Sequence, residues 1–139
     1  MTHIDELATI GTSTWLDDLS RERLDSGNLR ELLSTKSIVG VTTNPAIFAA
    51  AMSSGTSYDE DIAILREKGA HADEAVYSLA VEDVRNACDV FTEIFEQTDG
   101  RDGRVSIEVD PRISADAEAT LAQARELWAQ VDRPNLMIK

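Results

Sequence analysis

Cysteine occurs once among 139 residues, at Cys88, which excludes an intramolecular disulfide and a thiolate-built zinc site, the two staples of small secreted domains. A reducing, cytoplasmic setting is the expectation. Histidine occurs twice, at His3 and His71, and neither closes an apolar run, so a histidine-built catalytic metal site is disfavoured and no metal or cofactor is expected. Basic residues are few: 13 Lys and Arg against 26 Asp and Glu leave a formal net charge of -13. Such a field repels polyphosphate backbones and anionic membrane surfaces, so neither nucleic acid nor membrane is expected as a partner. It leaves room for a single phosphate held by a local cluster of basic groups or a helix N-terminus. No apolar run approaches the roughly 18 to 20 residues of a membrane span, and the opening residues carry no basic stretch followed by an apolar one. What is present, 42% hydrophobic and 28% charged side chains, suffices for one ordinary core without repeats or low-complexity tracts.

Turn and breaker residues divide the chain into short apolar runs separated by longer amphipathic stretches. Ser13 to Leu16 is the first run and ends at Asp17-Asp18. Leu19 to Leu33 follows, interrupted by Asp25-Ser26-Gly27-Asn28, which predicts a short turn or helix and then a second helix. Ile38 to Thr43 is rich in β-branched residues and stops at Asn44-Pro45, a strand running into a cap and a first helical proline. The helix begun there is expected to end at Ser53-Ser54-Gly55. Two more are predicted over Tyr58 to Lys68 and Asp73 to Glu96. In Arg104 to Val109 apolar Val105, Ile107 and Val109 alternate with Ser106 and Glu108, the period of a strand, which Pro111 closes. Ser114 to Gln130 reads as a helix capped by Ser114, with Leu121, Ala124, Leu127, Trp128 and Val131 as its buried stripe. Leu136 to Ile138 is a last short strand before Lys139.

This alternation builds βαβ units with parallel strands. A parallel sheet is covered on both faces or closes on itself, and four strands with their helices amount to about half of a (β/α)8 barrel of typically about 250 residues. The expected fold class is therefore α/β, with residues 1–139 as the N-terminal half of a single TIM barrel and the C-terminal half outside this chain. Barrel chemistry sits at the C-terminal ends of the strands. Those ends carry Asp17, then Thr42-Thr43-Asn44, then Glu108 and Asp110, then Lys139. A lysine amine can condense with a carbonyl, and carboxylates can move the protons of that step and of C–C cleavage, which points to a metal-free aldol reaction. Simpler readings compete at each place. Asp17-Asp18 also fits a capped turn, and Asn44-Pro45 a cap and helix start. Glu108 resists such a reading, because its strand phase buries it and an unpartnered carboxylate there is costly.

Four ordered segments, Trp15-Leu16-Asp17-Asp18-Leu19-Ser20, Gly40-Val41-Thr42-Thr43-Asn44-Pro45-Ala46-Ile47-Phe48, Ser106-Ile107-Glu108-Val109-Asp110-Pro111-Arg112 and Arg133-Pro134-Asn135-Leu136-Met137-Ile138-Lys139, closely resemble the transaldolase family in its bacterial, actinobacterial-like form. The resemblance runs from about Ser13 to the last residue. It implies a Schiff-base transferase of the pentose phosphate pathway that moves a dihydroxyacetone unit from sedoheptulose 7-phosphate to glyceraldehyde 3-phosphate. It also implies Lys139 as the Schiff-base lysine, Glu108 as an acid/base working through a water, and Asp17 as the group exchanging a proton with the hydroxyl at the cleaved bond. Asn44 resembles the residue that orients the dihydroxyacetone part, with Thr42 and Thr43 supporting the same rim. The family's later serine, threonine and phosphate-binding arginine have no counterpart here. The expected partners are thus phosphosugars and the missing half of the barrel, with the complete barrel a monomer or homodimer and this chain alone inactive and prone to aggregate.

Two alternatives remain. A fructose 6-phosphate aldolase-like lyase would use the same lysine but release dihydroxyacetone; the long acidic insert from about Ala49 to Gly103 favours the transferase. A non-catalytic half-barrel module would pair through its open edges. Other features are assigned to packing or solvent. Trp128 with Leu121 to Leu127, and Phe91 with Phe95, are expected as buried faces; Cys88 as a packed thiol; His71 as a solvated loop residue; and Glu93, Glu96 and Asp99 with Asp59-Glu60-Asp61 as a solvated acidic surface.

Overall fold

Strand β1 (Trp15–Leu16) pairs in parallel with β2 (Gly40–Val41), β2 with β3 (Arg104–Ile107), and β3 with β4 (Leu136–Ile138) in a computed structural model that describes residues 3–139. The strand order is β1-β2-β3-β4. Each crossover advances by one strand in one direction, with none of the reversals of a doubly wound sheet, as in the wall of a barrel. The α/β class and four-stranded parallel layout agree with the expectation.

Helix α1 (His3–Thr9) precedes the sheet and was not anticipated; Ser37 donates to its Asp5 carboxylate. The first crossover holds α2 (Arg21–Asp25) and α3 (Asn28–Lys36), divided at Gly27, whose φ of 78° is the left-handed conformation that favours glycine. The second holds α4 (Pro45–Met52), α5 (Asp59–Glu67) and the long α6 (Ala72–Gln97). His71 stands at the N-cap of α6, exposed, and its amide donates to Glu74 at 3.0 Å. The third holds a 3-10 turn (Pro111–Ile113) and α7 (Ala117–Val131). Here the predicted start is corrected. Ser114 closes the 3-10 turn, and the cap of α7 is Asp116, whose carboxylate accepts from the Ala119 amide at 2.9 Å. A carboxylate at that position also complements the helix dipole.

The core lies between the sheet and the helices. Val41, Val105, Ile107 and Leu136 pack against Val84, Ala87 and Phe91 of α6 and Leu127 and Val131 of α7. Side chains alternate along a strand, so the residues between these face the other way: Gly40 and Thr42 on β2, Ser106 and Glu108 on β3, Met137 and Lys139 on β4. Trp15 lies on that same face across Gly40, where a Cβ would come 2.5 Å from the indole. Only glycine lets the ring lie against the neighbouring strand. Gly103, with φ of 77°, is equally constrained, because a Cβ there would meet the Phe91 carbonyl oxygen and the Phe95 Cα at 2.8 Å. β3 thus starts in contact with α6.

Cys88 is buried as expected, and burial, with the Asp89 charge adding to it, pushes its thiol up to about 12. Phe91 is fully buried, while Phe95 is half-buried beneath the Arg104 guanidinium at 5.2 Å. The stripe expected on α7 holds only in part. Leu127 and Val131 are core residues, but Leu121 and Trp128 are 52% and 49% exposed. They occupy one face a quarter-turn away from the sheet, and among the described residues no element packs over them. Together with Met137 and the free edges of β1 and β4, this apolar surface favours self-association of the 139-residue chain. Sedimentation velocity of that chain is expected to show concentration-dependent association, reduced by the double substitution Leu121→Lys and Trp128→Lys.

Candidate active site

All four strands are parallel, so their C-terminal ends meet at one edge of the sheet, and the ladder continues beyond the regular strands there. The Thr42 amide donates to Leu16 O at 2.9 Å, the Lys139 amide to Ile107 O at 2.8 Å, and the Val109 amide to Lys139 O at 3.0 Å. These bonds hold residues 42, 108 and 139 in sheet geometry although each lies past its strand.

Lys139 is where the edge converges. Its Nζ stands 3.0 Å from Glu108 Oε2, donates to Thr43 O at 2.7 Å, and lies 3.4 Å from Thr42 Oγ1. Three neighbouring strand ends therefore supply the surroundings of one amine. The Lys139 side chain is 43% exposed and that of Glu108 26%, so the pair is reached from solvent on the face away from the helices. Ser106 lies one layer below. Its hydroxyl accepts from the Thr43 amide at 3.0 Å and donates to Thr42 Oγ1 at 3.2 Å, and its carbonyl accepts from Thr43 Oγ1 at 2.6 Å. Thr43 is fully buried and its hydroxyl is spent on the ladder. Thr42 turns its hydroxyl toward Lys139. Ser106 was not singled out from the sequence, although it stands in the same strand phase as Glu108, two residues before it.

Asn44 is the N-cap of α4, its Oδ1 accepting from the Ile47 amide at 2.9 Å. The capping reading is thus the observed one for that oxygen. Asp17 is exposed one residue beyond β1 and has no hydrogen bond or ion pair among the described residues. Asp110, the other acid considered at the β3 end, is committed elsewhere. Its carboxylate caps the 3-10 turn and receives Arg112 Nε at 2.9 Å, and these Arg112 contacts hold its carboxyl below the usual range. The β3 end is held from behind by Tyr77, whose hydroxyl donates to Glu108 O at 3.3 Å, and by Gln123, whose side chain accepts from the Asp110 amide at 2.7 Å. Burial raises the Tyr77 phenol, with the Asp110 and Glu108 charges acting in the same direction. It serves as a neutral donor.

Asn135 supports Lys139 from the other direction. Fully buried, it donates to Cys88 O at 2.9 Å and to Gly103 O at 2.8 Å, tying the start of β4 to α6 and to the start of β3. Among the described residues no three His, Cys, Asp or Glu side chains gather as a metal-binding set.

The sequence profile described as Transaldolase/Fructose-6-phosphate aldolase matches residues 14–139. The chain belongs to that family. Proteins named transaldolase from Mycolicibacterium paratuberculosis and Mycolicibacterium smegmatis are 59% and 56% identical to it over 133 residues, and one from Mycobacterium tuberculosis is 58% identical over the same length. In each case the alignment takes in 96% of this chain and 36% of the relative. The chain thus spans about a third of the length of these transaldolases, and the family match over residues 14–139 includes all four strand ends. Within the family, the α/β sheet described above is the wall of a TIM barrel, with Lys139 and Glu108 at its C-terminal edge.

Proposed function

We propose that the chain supplies the N-terminal half of a transaldolase barrel, in which Lys139 forms a Schiff base with a ketose phosphate and a dihydroxyacetone unit is transferred between phosphosugars. The observation that carries this reading is a lysine amine 3.0 Å from a carboxylate and close to two hydroxyl-bearing residues on adjacent parallel strand ends. A ketose carbonyl arriving on the open face meets Nζ, and loss of water from the carbinolamine gives an iminium. Glu108 is placed to deliver and remove the protons of that dehydration. The iminium then accepts the electron pair of the breaking C–C bond, becoming an enamine, while Asp17 takes the proton of the hydroxyl on the departing aldehyde carbon. Thr42 and the amide NH2 of Asn44, whose oxygen is used as the cap, hydrogen-bond the retained hydroxyls. Addition of the enamine to a second aldehyde runs the same proton transfers in reverse. Sedoheptulose 7-phosphate as donor and glyceraldehyde 3-phosphate as acceptor are the substrates this family reading proposes.

The phosphate end of the substrate and the second half of the wall come from residues outside this chain. A continuing polypeptide would pair with the free edges of β1 and β4 and cover Leu121 and Trp128. The buried single thiol suits work in the cytoplasm.

Borohydride reduction of the full-length protein with fructose 6-phosphate, followed by peptide mapping, tests the assignment. The expected result is a stable adduct on Lys139. An adduct on another lysine, or none, overturns it. Aldehyde acceptors separate the two family activities: transfer to glyceraldehyde 3-phosphate is expected to dominate over release of free dihydroxyacetone.

A further inference from the structure

The loop after β1 leaves the Asp17 carboxylate without a partner among the described residues, yet it fastens the residues that follow. Asp18 pairs with Arg23, Leu19 is fully buried, and Ser20 Oγ accepts from the Arg23 amide at 3.1 Å as the cap of α2. The Arg21 amide, in the first turn of α2 and so without an intrahelical acceptor, donates to the Tyr58 hydroxyl at 2.8 Å. That hydroxyl donates in turn to Asp83 Oδ2 at 2.7 Å. Tyr58 and Asp83 are 2% and 0% exposed, so the phenol has one role in each direction. Arg21 closes the ring: its Nε donates to Asp83 Oδ1 at 2.9 Å, and its guanidinium lies over the Tyr58 ring at 4.9 Å.

We propose that Tyr58 is a positioning residue for Asp17, fixing through the Arg21 amide the start of α2, and thereby the height and direction of the carboxylate above the end of β1. The inference rests on the reading of Asp17 as the base of C–C cleavage. A general base must come within about 2.6–3.2 Å of the hydroxyl it deprotonates, and a displacement near 1 Å costs up to about 100-fold. Among the described residues no side-chain bond fixes that carboxylate, so within this chain its placement follows from the backbone that carries it. Glu108 and Lys139 stand just past β3 and β4, and none of their side-chain bonds is with α2 or Tyr58. Losing the phenol hydroxyl therefore impairs bond cleavage and spares imine formation, a split that general loosening of the fold does not produce.

The test compares Tyr58→Phe with Asp17→Asn in the full-length protein, following borohydride-trappable adduct and aldehyde release from fructose 6-phosphate in single turnovers, with thermal unfolding measured alongside. For Tyr58→Phe the expected result is trapping at the unsubstituted rate with aldehyde release slowed about 10- to 100-fold, kcat falling more than KM changes. Unchanged aldehyde release in Tyr58→Phe, with Asp17→Asn inactive in cleavage, overturns the positioning role and leaves the reading of Asp17 standing. Unchanged cleavage in Asp17→Asn overturns that reading and the positioning role with it. Equal loss of trapping and cleavage in Tyr58→Phe marks a general structural role and also overturns the proposal. Should Tyr58→Phe not fold, it is combined with Asp83→Asn, which removes the buried charge that has lost its phenol donor while still lacking the hydroxyl on the Arg21 amide, and the pair is judged by the same outcomes.

Discussion

Replacing Lys139 with Met is expected to abolish the borohydride-trapped adduct and to lower dihydroxyacetone transfer about 10⁴-fold or more, since the covalent route disappears with its nucleophile. Lys139→Arg is expected to be as inactive. A guanidinium stays protonated at every physiological pH and offers no lone pair to a carbonyl, although it preserves the charge beside Glu108. The arginine variant therefore separates nucleophilic chemistry from electrostatic support of the site. Folding of the 139-residue chain by itself should change little in either variant, because there the Lys139 side chain is 43% exposed and its ion pair with Glu108 is reached by solvent, a kind worth about 0–1 kcal/mol. Glu108→Gln keeps the nucleophile and loses the proton shuttle, so it is expected to retain a slowly forming adduct and to lose about 10²- to 10⁴-fold in turnover. Transfer at the unsubstituted rate in Lys139→Met would remove the lysine from the mechanism altogether.

The residues around Lys139 were legible in the sequence because local rules place them. Alternation of Val105 and Ile107 with Ser106 and Glu108 assigns the carboxylate to the face opposite the helices, and Pro134 followed by Leu136 to Ile138 ends a strand at Lys139. Asn44-Pro45 announces a cap and a first helical turn, and both are observed. The helix face left open on α7 was not legible. Leu121 and Trp128 have the spacing of a core stripe, but spacing says which side of a helix is apolar and nothing about which neighbour covers it. Tyr77 and the role of Ser106 escaped notice for another reason: one acts through a backbone carbonyl, and strand alternation puts Ser106 on the Glu108 face without saying what its small hydroxyl binds.

Asp61 shows the same limit from the charged side. It reads with Asp59 and Glu60 as solvated acidity, and Asp59 and Glu60 are exposed as expected, but Asp61 turns inward to pair with Arg21. Arg21, Tyr58 and Asp83 lie 37 and 62 residues apart, so no local period relates them. One signal was available. Leu79, Asp83, Ala87 and Phe91 are spaced by four along α6 and are all buried, and an acid in that series demands a partner.

Breaking that buried cluster is expected to have the largest effect on stability. Asp83→Ala should cost about 3–5 kcal/mol, read as a lower urea midpoint at constant slope, because it strips the Arg21 guanidinium and the Tyr58 hydroxyl of their shared acceptor. Burial raises the Asp83 carboxyl, and the Tyr58 and Arg21 hydrogen bonds and charge bring it only part of the way back. Ionised Asp83 is thus held at a cost. The cluster stabilises chiefly by being complete, and removing one member leaves the others buried without their match. Asp61→Ala, acting on the outer side of the same guanidinium at a carboxylate 41% exposed, should cost about 1 kcal/mol or less. Replacing Arg21, Tyr58 and Asp83 together with Met, Phe and Leu is expected to recover part of the loss seen in Asp83→Ala, since the buried charges are then gone and only the backbone amide of residue 21 is left without its acceptor. A triple variant no more stable than Asp83→Ala would show instead that the ion pair itself, and not its completeness, supplies the stability joining α2, α5 and α6.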